Sequence, residues 1–284
     1  MRARNYYWLF RERYRLIRER SAFQHILKRG AHRGFCPICN QRTIFYKVGD
    51  VMREHCVCFW CCSIPRWRAM VRVLNEHFPN WRNLRIHESS PDGAIYDFLR
   101  RECENYIASQ FFPDQALGSQ YHGFRCEDLG KQSFPDAHFD LAITQDVLEH
   151  LRDPMSALRE ISRTLKPGGA HVFTVPWYPS QKTLIRAQMD DHGNVESIED
   201  PIYHGNPVDS SGALVITDWG DDLCDTIYAA AGMITTIVEI HDTSMGIESI
   251  EVFIGRKPDH DLESLTVGWR QRENRKARNR TPHL

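Results

Sequence analysis

The sequence predicts an α/β protein with a mainly parallel sheet, helices on both faces and a small cysteine-rich segment in front. From residue 83 onward, short apolar strands alternate with helical stretches, and two strands follow each other near the end. Such alternation is typical of parallel sheets covered by helices. Six of the nine cysteines lie within residues 36–62, and 284 residues suffice for one principal domain plus an appendage.

Each element is predicted from its local pattern. Apolar runs bounded by polar residues predict strands at 83–88, 105–110, 123–128, 139–145, 169–177, 233–242 and 247–258. Helical periodicity predicts helices at 63–78, 93–103, 155–165 and 222–232. The last two strands are expected to form an antiparallel hairpin at the edge of the sheet. Residues 176–212, which we call the long connection, exceed an ordinary connection and are expected to form a lid or substrate loop.

Charge is distributed unevenly along a nearly neutral chain, which carries 36 Lys and Arg against 37 Asp and Glu. Residues 1–34 hold ten basic and two acidic residues, and residues 270–284 hold six basic and one acidic. The stretch between them is therefore acidic. Basic ends either bind nucleic acid or anionic lipid, or fold onto their own acidic body, and we favour the second interpretation.

The sequence lacks an apolar run of about 18 residues and an apolar signal-peptide region, so we expect a soluble, cytoplasmic protein of undetermined oligomeric state.

Four parts are predicted: a basic amphipathic helical segment at 1–34, with Phe10, Tyr14 and Ile17 on one stripe; a zinc-binding segment at 35–68; the main domain at 69–258; and a basic tail at 259–284.

The cysteine spacing in residues 35–68, which we call the leader, predicts a structural zinc site. Two pairs, each with two intervening residues, lie eighteen residues apart, and in a reducing compartment metal binding is favoured over disulfides. Four thiolates leave zinc no open position, so the ion would stabilise the fold without taking part in chemistry. His55, Cys56 or Cys62 could replace one ligand, and the alternative is a set of buried free cysteines. The predicted ligands are Cys36, Cys39, Cys58 and Cys61.

Residues 139–169, "FDLAITQDVLEHLRDPMSALREISRTLKPGG", resemble class I S-adenosylmethionine-dependent methyltransferases of the type 11 kind. The likeness extends more weakly over residues 83–257, and the leader, ending in "SIPRWR", looks like the cysteine-bearing segment attached to some members. The resemblance implies a Rossmann-like seven-stranded sheet with a reversed last strand and S-adenosylmethionine as cofactor. It does not imply a particular methyl acceptor.

The turn "HESSPDG" takes the place of the family's cofactor turn, although Gly93 is its one glycine. Amides at a helix N-terminus supply much of the binding, and glycine permits close approach and positive φ. Glu88 is expected to order the turn or bind the methionine ammonium, Ser89 and Ser90 to cap the helix, and Gly93 to let the ligand approach. "LKPGG" predicts that Pro167 ends a helix and that two glycines return the chain into the next strand.

Further cofactor contacts are implied by matching positions of the family. Gln110 stands where an acid commonly binds the ribose hydroxyls, and the loss of charge predicts weaker affinity. Glu127, Asp128 and Leu129 match the adenine-contacting stretch, although each acid could instead be an exposed loop carboxylate. Gln145 ends its strand facing the cleft.

Methyl transfer requires an in-line approach, and a base is needed for a hydroxyl or a protonated amine. Candidates are Asp146, His150, Tyr203 and His204, although His150 could simply pack on its helix, and "YHGNP" is expected to border the acceptor. We therefore predict a methyltransferase acting on a small-molecule or saccharide-like acceptor. The alternative is a noncatalytic binding protein whose zinc leader and basic ends hold nucleic acid or a protein partner. A nucleotide-dependent oxidoreductase is poorly supported, because "HESSPDG" is not the dinucleotide fingerprint.

Overall fold

The computed structural model describes residues 30–189, 195–205 and 212–259. The predicted helix with Phe10, Tyr14 and Ile17 and nearly all of the predicted basic tail lie outside the described residues. None of the described helices is long and apolar enough to cross a membrane.

The leader folds around a three-stranded antiparallel sheet: β1 Ala31–Cys36, β2 Gln41–Lys47 and β3 Cys56–Cys58. Cys36 pairs with Gln41, so residues 37–40 form a tight turn, and Asn40 adopts a positive φ of 54° there. The sequence predicted helical structure up to residue 34. That prediction is wrong for residues 31–34, which lie in β1 and pair with β2.

Two helices follow in the leader: α1 Met52–His55 and α2 Pro65–His77. Pro65 opens α2, where its missing N–H costs no hydrogen bond. Trp67, Met70 and Leu74 are buried and pack in the core. The predicted division between residues 68 and 69 falls inside α2, so the helix runs continuously from the leader into the main domain.

The first part of the central sheet agrees closely with the predicted alternation. Its helices are α3 Gly93–Glu102 and α4 Pro154–Thr164. Its strands are β4 Ile86–Ser89, β5 Tyr106–Gln110, β6 Gln120–Tyr121, β7 Phe124–Cys126, β8 Phe139–Gln145 and β9 Leu165–Thr174. The prediction for "LKPGG" is wrong in one respect: α4 ends at Thr164, three residues before Pro167, and β9 already begins at Leu165. The register of β8 against β9 shifts between Phe139 and Leu141, which accommodates this stretch.

Short strands occupy the region after β9: β10 Trp177–Tyr178, β11 Leu184–Ile185, β12 Ala187–Met189, β13 Val195–Ser197, β14 Tyr203–His204, β15 Ala213–Leu214 and β16 Thr217–Gly220. They form small ladders separate from the central sheet. The described parts of the long connection are therefore built from short paired strands.

The chain closes with α5 Leu223–Ala231, β17 Ile234–Asp242 and β18 Ile247–Arg256. The strand order of the central sheet is β17-β18-β9-β8-β4-β5-β7-β6. β18 is antiparallel to both β17 and β9, which confirms the predicted edge hairpin and the reversed last strand. The two-residue β6 pairs antiparallel with β7 and makes an eighth strand beyond the seven expected.

Helices cover both faces of the sheet, as the sequence predicted. On one face, α2 and α3 bury apolar residues such as Trp67, Ile95 and Leu99 together with Leu141 and Val172 of the sheet. On the other face, α4 and α5 bury Leu158, Ile161 and Ile227 against a second cluster. The carboxyl ends of the parallel strands meet at one edge, where ligands of such sheets bind.

Candidate functional site

Glu88 lies at the centre of that edge and is 1% exposed. The Gln145 side-chain amide donates a hydrogen bond to Glu88 Oε1 at 3.0 Å, and the Tyr106 hydroxyl donates to Oε2. Burial raises the pKa of Glu88 to about 7, against hydrogen bonds that favour the ionised form. Glu88 and Gln145 therefore lie together, as expected for residues at the ends of neighbouring strands. Sequence reasoning missed Tyr106, because this residue begins β5 and its hydroxyl reaches Glu88 from the other end of that strand.

Gln145 has a second polar atom with no partner. Its Oε1 is buried and accepts no hydrogen bond from the residues that the structure describes. Buried polar atoms are nearly always satisfied, so this oxygen is available to a donor on a bound molecule.

The turn after β4 adopts the backbone that a glycine-rich turn would adopt. Ser90 has a φ of +55°, in the left-handed region that favours glycine, and its N–H donates to Ser109 O at 2.9 Å. Asp92 precedes α3, and its side chain makes no cap hydrogen bond to the helix. Amides at the start of a helix are suited to binding an anionic group. The residues of this turn fit an anionic group, such as the carboxylate of the cofactor's methionine part.

Gly93 has a packing role in the structure. It has a φ of +59°, and a Cβ built on it would lie 1.9 Å from the Trp67 ring of α2. The space that a side chain would occupy is filled by the indole, so Gly93 allows Trp67 to pack against the turn. Its role in letting the ligand approach the backbone stays a prediction.

The acids after β7 are engaged in folding their own loop. Glu127 is 2% exposed and accepts hydrogen bonds from Arg125 Nε at 2.7 Å and from the Ser133 N–H at 2.7 Å. Asp128 accepts from the Gly130 N–H at 2.8 Å, and Leu129 is buried in the core. Gln110 is half-buried at the end of β5, and its carbonyl accepts from the Glu127 N–H at 3.3 Å.

Asp146 is held by the leader. Its carboxylate lies 2.7 Å from Arg53 Nη2 and 3.2 Å from Arg66 Nε, and it accepts from the Thr174 hydroxyl at 2.9 Å. Desolvation raises the pKa of Asp146, but the two guanidinium groups outweigh it and bring the pKa to about 2. A carboxylate this acidic is a weak base. The two arginines were missed because they are 93 and 80 residues away in the chain, with no local signal linking them to Asp146.

His150 and His204 lie together although the sequence separates them by 54 residues. Their ring centroids are 5.1 Å apart in an edge-to-face arrangement, and the buried Glu149 carboxylate lies 3.6 Å from His150 Nε2 and 3.7 Å from His204 Nδ1. That carboxylate raises the pKa of His204. Sequence reasoning missed Glu149, which the "LEH" motif carries next to His150. Tyr203 is 60% exposed, and the last two residues of "YHGNP" lie outside the described residues.

The four predicted zinc ligands converge in the leader. The sulfurs of Cys36, Cys39, Cys58 and Cys61 all lie within 4.8 Å of one another, with Cys36–Cys61 at 3.6 Å and Cys39–Cys58 at 3.9 Å. Four thiolates at the usual Zn–S distance are about 3.8 Å apart. The donor set and its spacing therefore fit a tetrahedral zinc ion. His55, Cys56 and Cys62 are not in this group.

Two cavities in the described part of the chain are lined by residues outside the cofactor turn and the histidine pair. One, of about 510 Å³, is bordered by Tyr96, Tyr106 and Arg125, and the other, of about 650 Å³, is bordered by Phe35 and Trp60 of the leader. The leader contacts the carboxyl edge of the sheet at two residues. Arg53 and Arg66 contact Asp146, and Trp67 packs against Gly93.

Residues 92–173 match the family model described as a methyltransferase domain. The matched residues make up less than a third of the chain. They cover α3 to β9 and include Asp146, Glu149 and His150, but not Glu88 or His204. A 46-residue stretch is also 50% identical to an uncharacterized methyltransferase of Schizosaccharomyces pombe, and this stretch spans 16% of each of the two chains.

Solved structures of methyltransferases are similar to parts of this chain at low sequence identity. An S-adenosylmethionine-dependent methyltransferase from Mesorhizobium loti has a TM-score of 0.45 at 16% identity, covering 69% of this chain and 99% of that one. An amino pentose methyltransferase from Micromonospora echinaspora, with S-adenosylmethionine bound, has a TM-score of 0.44 at 15% identity over 68% of this chain and 90% of that one. A Burkholderia thailandensis N1-methyltransferase with bound S-adenosylhomocysteine has a TM-score of 0.42 at 14% identity, over 68% and 78%.

Proposed function

We propose that the protein transfers a methyl group from S-adenosylmethionine to a small-molecule or saccharide-like acceptor. The observation that carries the proposal is the pairing of Glu88 with Gln145 at neighbouring strand ends, beside a left-handed Ser90 and an uncapped start of α3. These are the parts that a nucleoside-bearing amino acid requires: amides for its carboxylate and side-chain oxygens for its ammonium.

Each part of the cofactor has candidate partners in this chain. The first amides of α3, with Ser89 and Ser90, would hold the methionine carboxylate. Glu88 and the unpartnered Oε1 of Gln145 would accept from its ammonium. Gln110 would bind the ribose, and the backbone around Leu129 would border the adenine, since Glu127 and Asp128 are engaged in their own loop. When bound, the cofactor supplies an electrophilic methyl group.

The acceptor side is proposed to lie beyond Asp146. Asp146 itself would position Arg53 and Arg66, because its low pKa makes it a poor proton acceptor. The ring of His150 contacts that of His204 from the long connection, and Tyr203, next to His204 in the chain, is exposed. This group is proposed to contact the acceptor.

Calorimetric titration with S-adenosylhomocysteine tests the proposal. Wild type is expected to bind one equivalent, Glu88→Ala to bind at least about tenfold more weakly, and His204→Ala to bind as wild type does. Glu104→Ala is the matched control, since that carboxylate is exposed on a loop and makes no contact with the turn. Absence of both heat and a thermal shift at millimolar ligand would contradict the proposal and favour a noncatalytic binding protein.

A further inference from the structure

We infer that Glu149, His150 and His204 form a binding site for a divalent transition-metal ion, separate from the four-cysteine site. One donor atom from each residue lies within 4.8 Å of the others. The existence of the site does not depend on the proposed function. Its role in methyl transfer does, because that role requires an acceptor on this side of Asp146.

The distances favour a shared ion over direct hydrogen bonds. Glu149 Oε1 is 3.6 Å from His150 Nε2 and 3.7 Å from His204 Nδ1. Both separations exceed the range of a hydrogen bond. They are close to the roughly 3.4 Å that separates two nitrogen or oxygen ligands of a tetrahedral zinc ion. The three donor atoms therefore lie close enough to share one ion, and the carboxylate is not within hydrogen-bond distance of either imidazole.

Glu149 supplies the independent reason to expect a cation. Its side chain is 0% exposed, and neither carboxylate oxygen has a hydrogen-bond partner among residues 30–189, 195–205 and 212–259. A buried carboxylate is strongly disfavoured unless a cation or donors compensate for its lost hydration. An ion between Glu149 and the two imidazoles provides that compensation.

His150 is oriented as metal-bound histidines are. Its Nδ1 donates to the Leu214 carbonyl at 2.7 Å, so Nε2, which is 3.6 Å from Glu149 Oε1, is the ring nitrogen that could bind an ion. A ligating histidine characteristically donates its other ring N–H to a carbonyl or carboxylate, which fixes the tautomer. The Ile216 N–H also donates to the Glu149 carbonyl at 2.7 Å, so β15 and the residues after it hold both ligands in place.

The composition of the site indicates which ion it takes and what the ion can do. Two imidazoles and one carboxylate suit zinc, cobalt, manganese or ferrous ions, and three protein ligands leave a position open. His204 is 38% exposed in its side chain, so an ion could reach these three residues from solvent. An acceptor hydroxyl bound there would lose its proton to water more readily, because a divalent ion lowers the pKa of a bound oxygen.

Metal counting by plasma mass spectrometry tests the site on the untagged full-length chain, equilibrated with excess zinc and gel-filtered. We expect two zinc ions per wild-type chain and one per His204→Ala chain, with unchanged cysteine-bound zinc. Titration with cobalt of protein that carries one zinc ion, in the four-cysteine site, is expected to show at least tenfold weaker binding for His204→Ala. His122→Ala, which removes an exposed histidine elsewhere, is the control and should keep both ions.

Glu149→Gln provides a second variant with the same expected loss of one ion. His204→Gln replaces His204→Ala if the alanine variant does not fold. Equal zinc content in wild type and in folded His204 variants would overturn the site. This outcome differs from failure of the proposed function. Wild type that binds two zinc ions but no S-adenosylhomocysteine would contradict methyl transfer and still support the metal site.

Discussion

At the scale of single residues, two carboxylates at adjacent strand ends have opposite properties. Glu88 is buried beside neutral donors, so desolvation raises its pKa to about 7. Asp146 is less buried, with 17% of its side chain exposed, and Arg53 and Arg66 bring its pKa to about 2. The opposite directions of the two shifts follow from the charged neighbours that Asp146 has and Glu88 lacks at hydrogen-bond distance. Glu88 therefore suits contact with a cationic ligand group, and Asp146 suits a permanent ion pair.

The raised pKa of Glu88 has a consequence for stability. The folded state holds this proton up to about pH 7, whereas the ordinary pKa is 4.5. The unfolded chain releases the proton first, so the free energy of unfolding should fall by about 3 kcal/mol as pH rises from 4.5 through 7. Urea unfolding of wild type and Glu88→Gln from pH 4.5 to 8 measures it. The control Glu104→Gln is expected to show the same dependence of unfolding free energy on pH as wild type. The same dependence in Glu88→Gln would contradict this pKa.

Gly93 should be intolerant of a side chain. Gly93→Ala places a methyl group against the Trp67 ring and also imposes a positive φ on alanine, and we expect a loss of about 2–4 kcal/mol in unfolding free energy. Gly232→Ala isolates the backbone contribution, because Gly232 has a φ of +66° with nothing within 4 Å of its Cβ position, and should cost about 1 kcal/mol. Equal losses in urea unfolding would show that Trp67 does not restrict the position.

At the scale of elements, the leader is bound to the sheet by buried arginines. Arg68 is 0% exposed. Its guanidinium donates to the Cys56 carbonyl of the leader at 2.8 Å. It also donates to the Gly246 carbonyl, in the turn between β17 and β18, at 3.0 Å. Arg53 and Arg66 hold Asp146 at the end of β8. These contacts join the leader to the end of β8 and to the turn between β17 and β18.

Loss of one cysteine ligand should destabilise the leader. Cys39→Ser is expected to remove one zinc ion per chain and to lower the unfolding free energy by on the order of 2 kcal/mol or more, because metal binding contributes directly to folding. Cys224→Ser is the control, since Cys224 is half-buried in α5 and outside the cluster. Metal analysis and thermal unfolding measure both effects. Unchanged zinc content in folded Cys39→Ser would exclude this ligand.

At the scale of the whole molecule, the sequence predicted what is encoded locally. β8, α3, α5 and β17 lie within a residue or two of their predicted ranges, because apolar periodicity and flanking breakers specify them. β1–β3 were missed, since these strands are short and carry mixed polar and apolar residues. The predicted cysteine ligands converge because their spacing is itself the signal.

The parts of the site that the sequence did not predict depend on distant chain segments. Asp146 meets Arg53 through the path of the leader, and Glu149 meets His204 through the path of the long connection. Neither path leaves a periodic signal in the sequence. The packing of Trp67 against Gly93 was missed for the same reason, since Trp67 lies 26 residues earlier in the chain.

The most direct test of the central claim is a crystal structure of the protein soaked with S-adenosylhomocysteine. We expect the methionine part at the start of α3, beside Ser90, with its ammonium against Glu88 and Gln145, and the sulfur directed towards Asp146 and the two histidines. A ligand bound elsewhere, or a turn between β4 and α3 with no ligand at saturating concentration, would contradict the account.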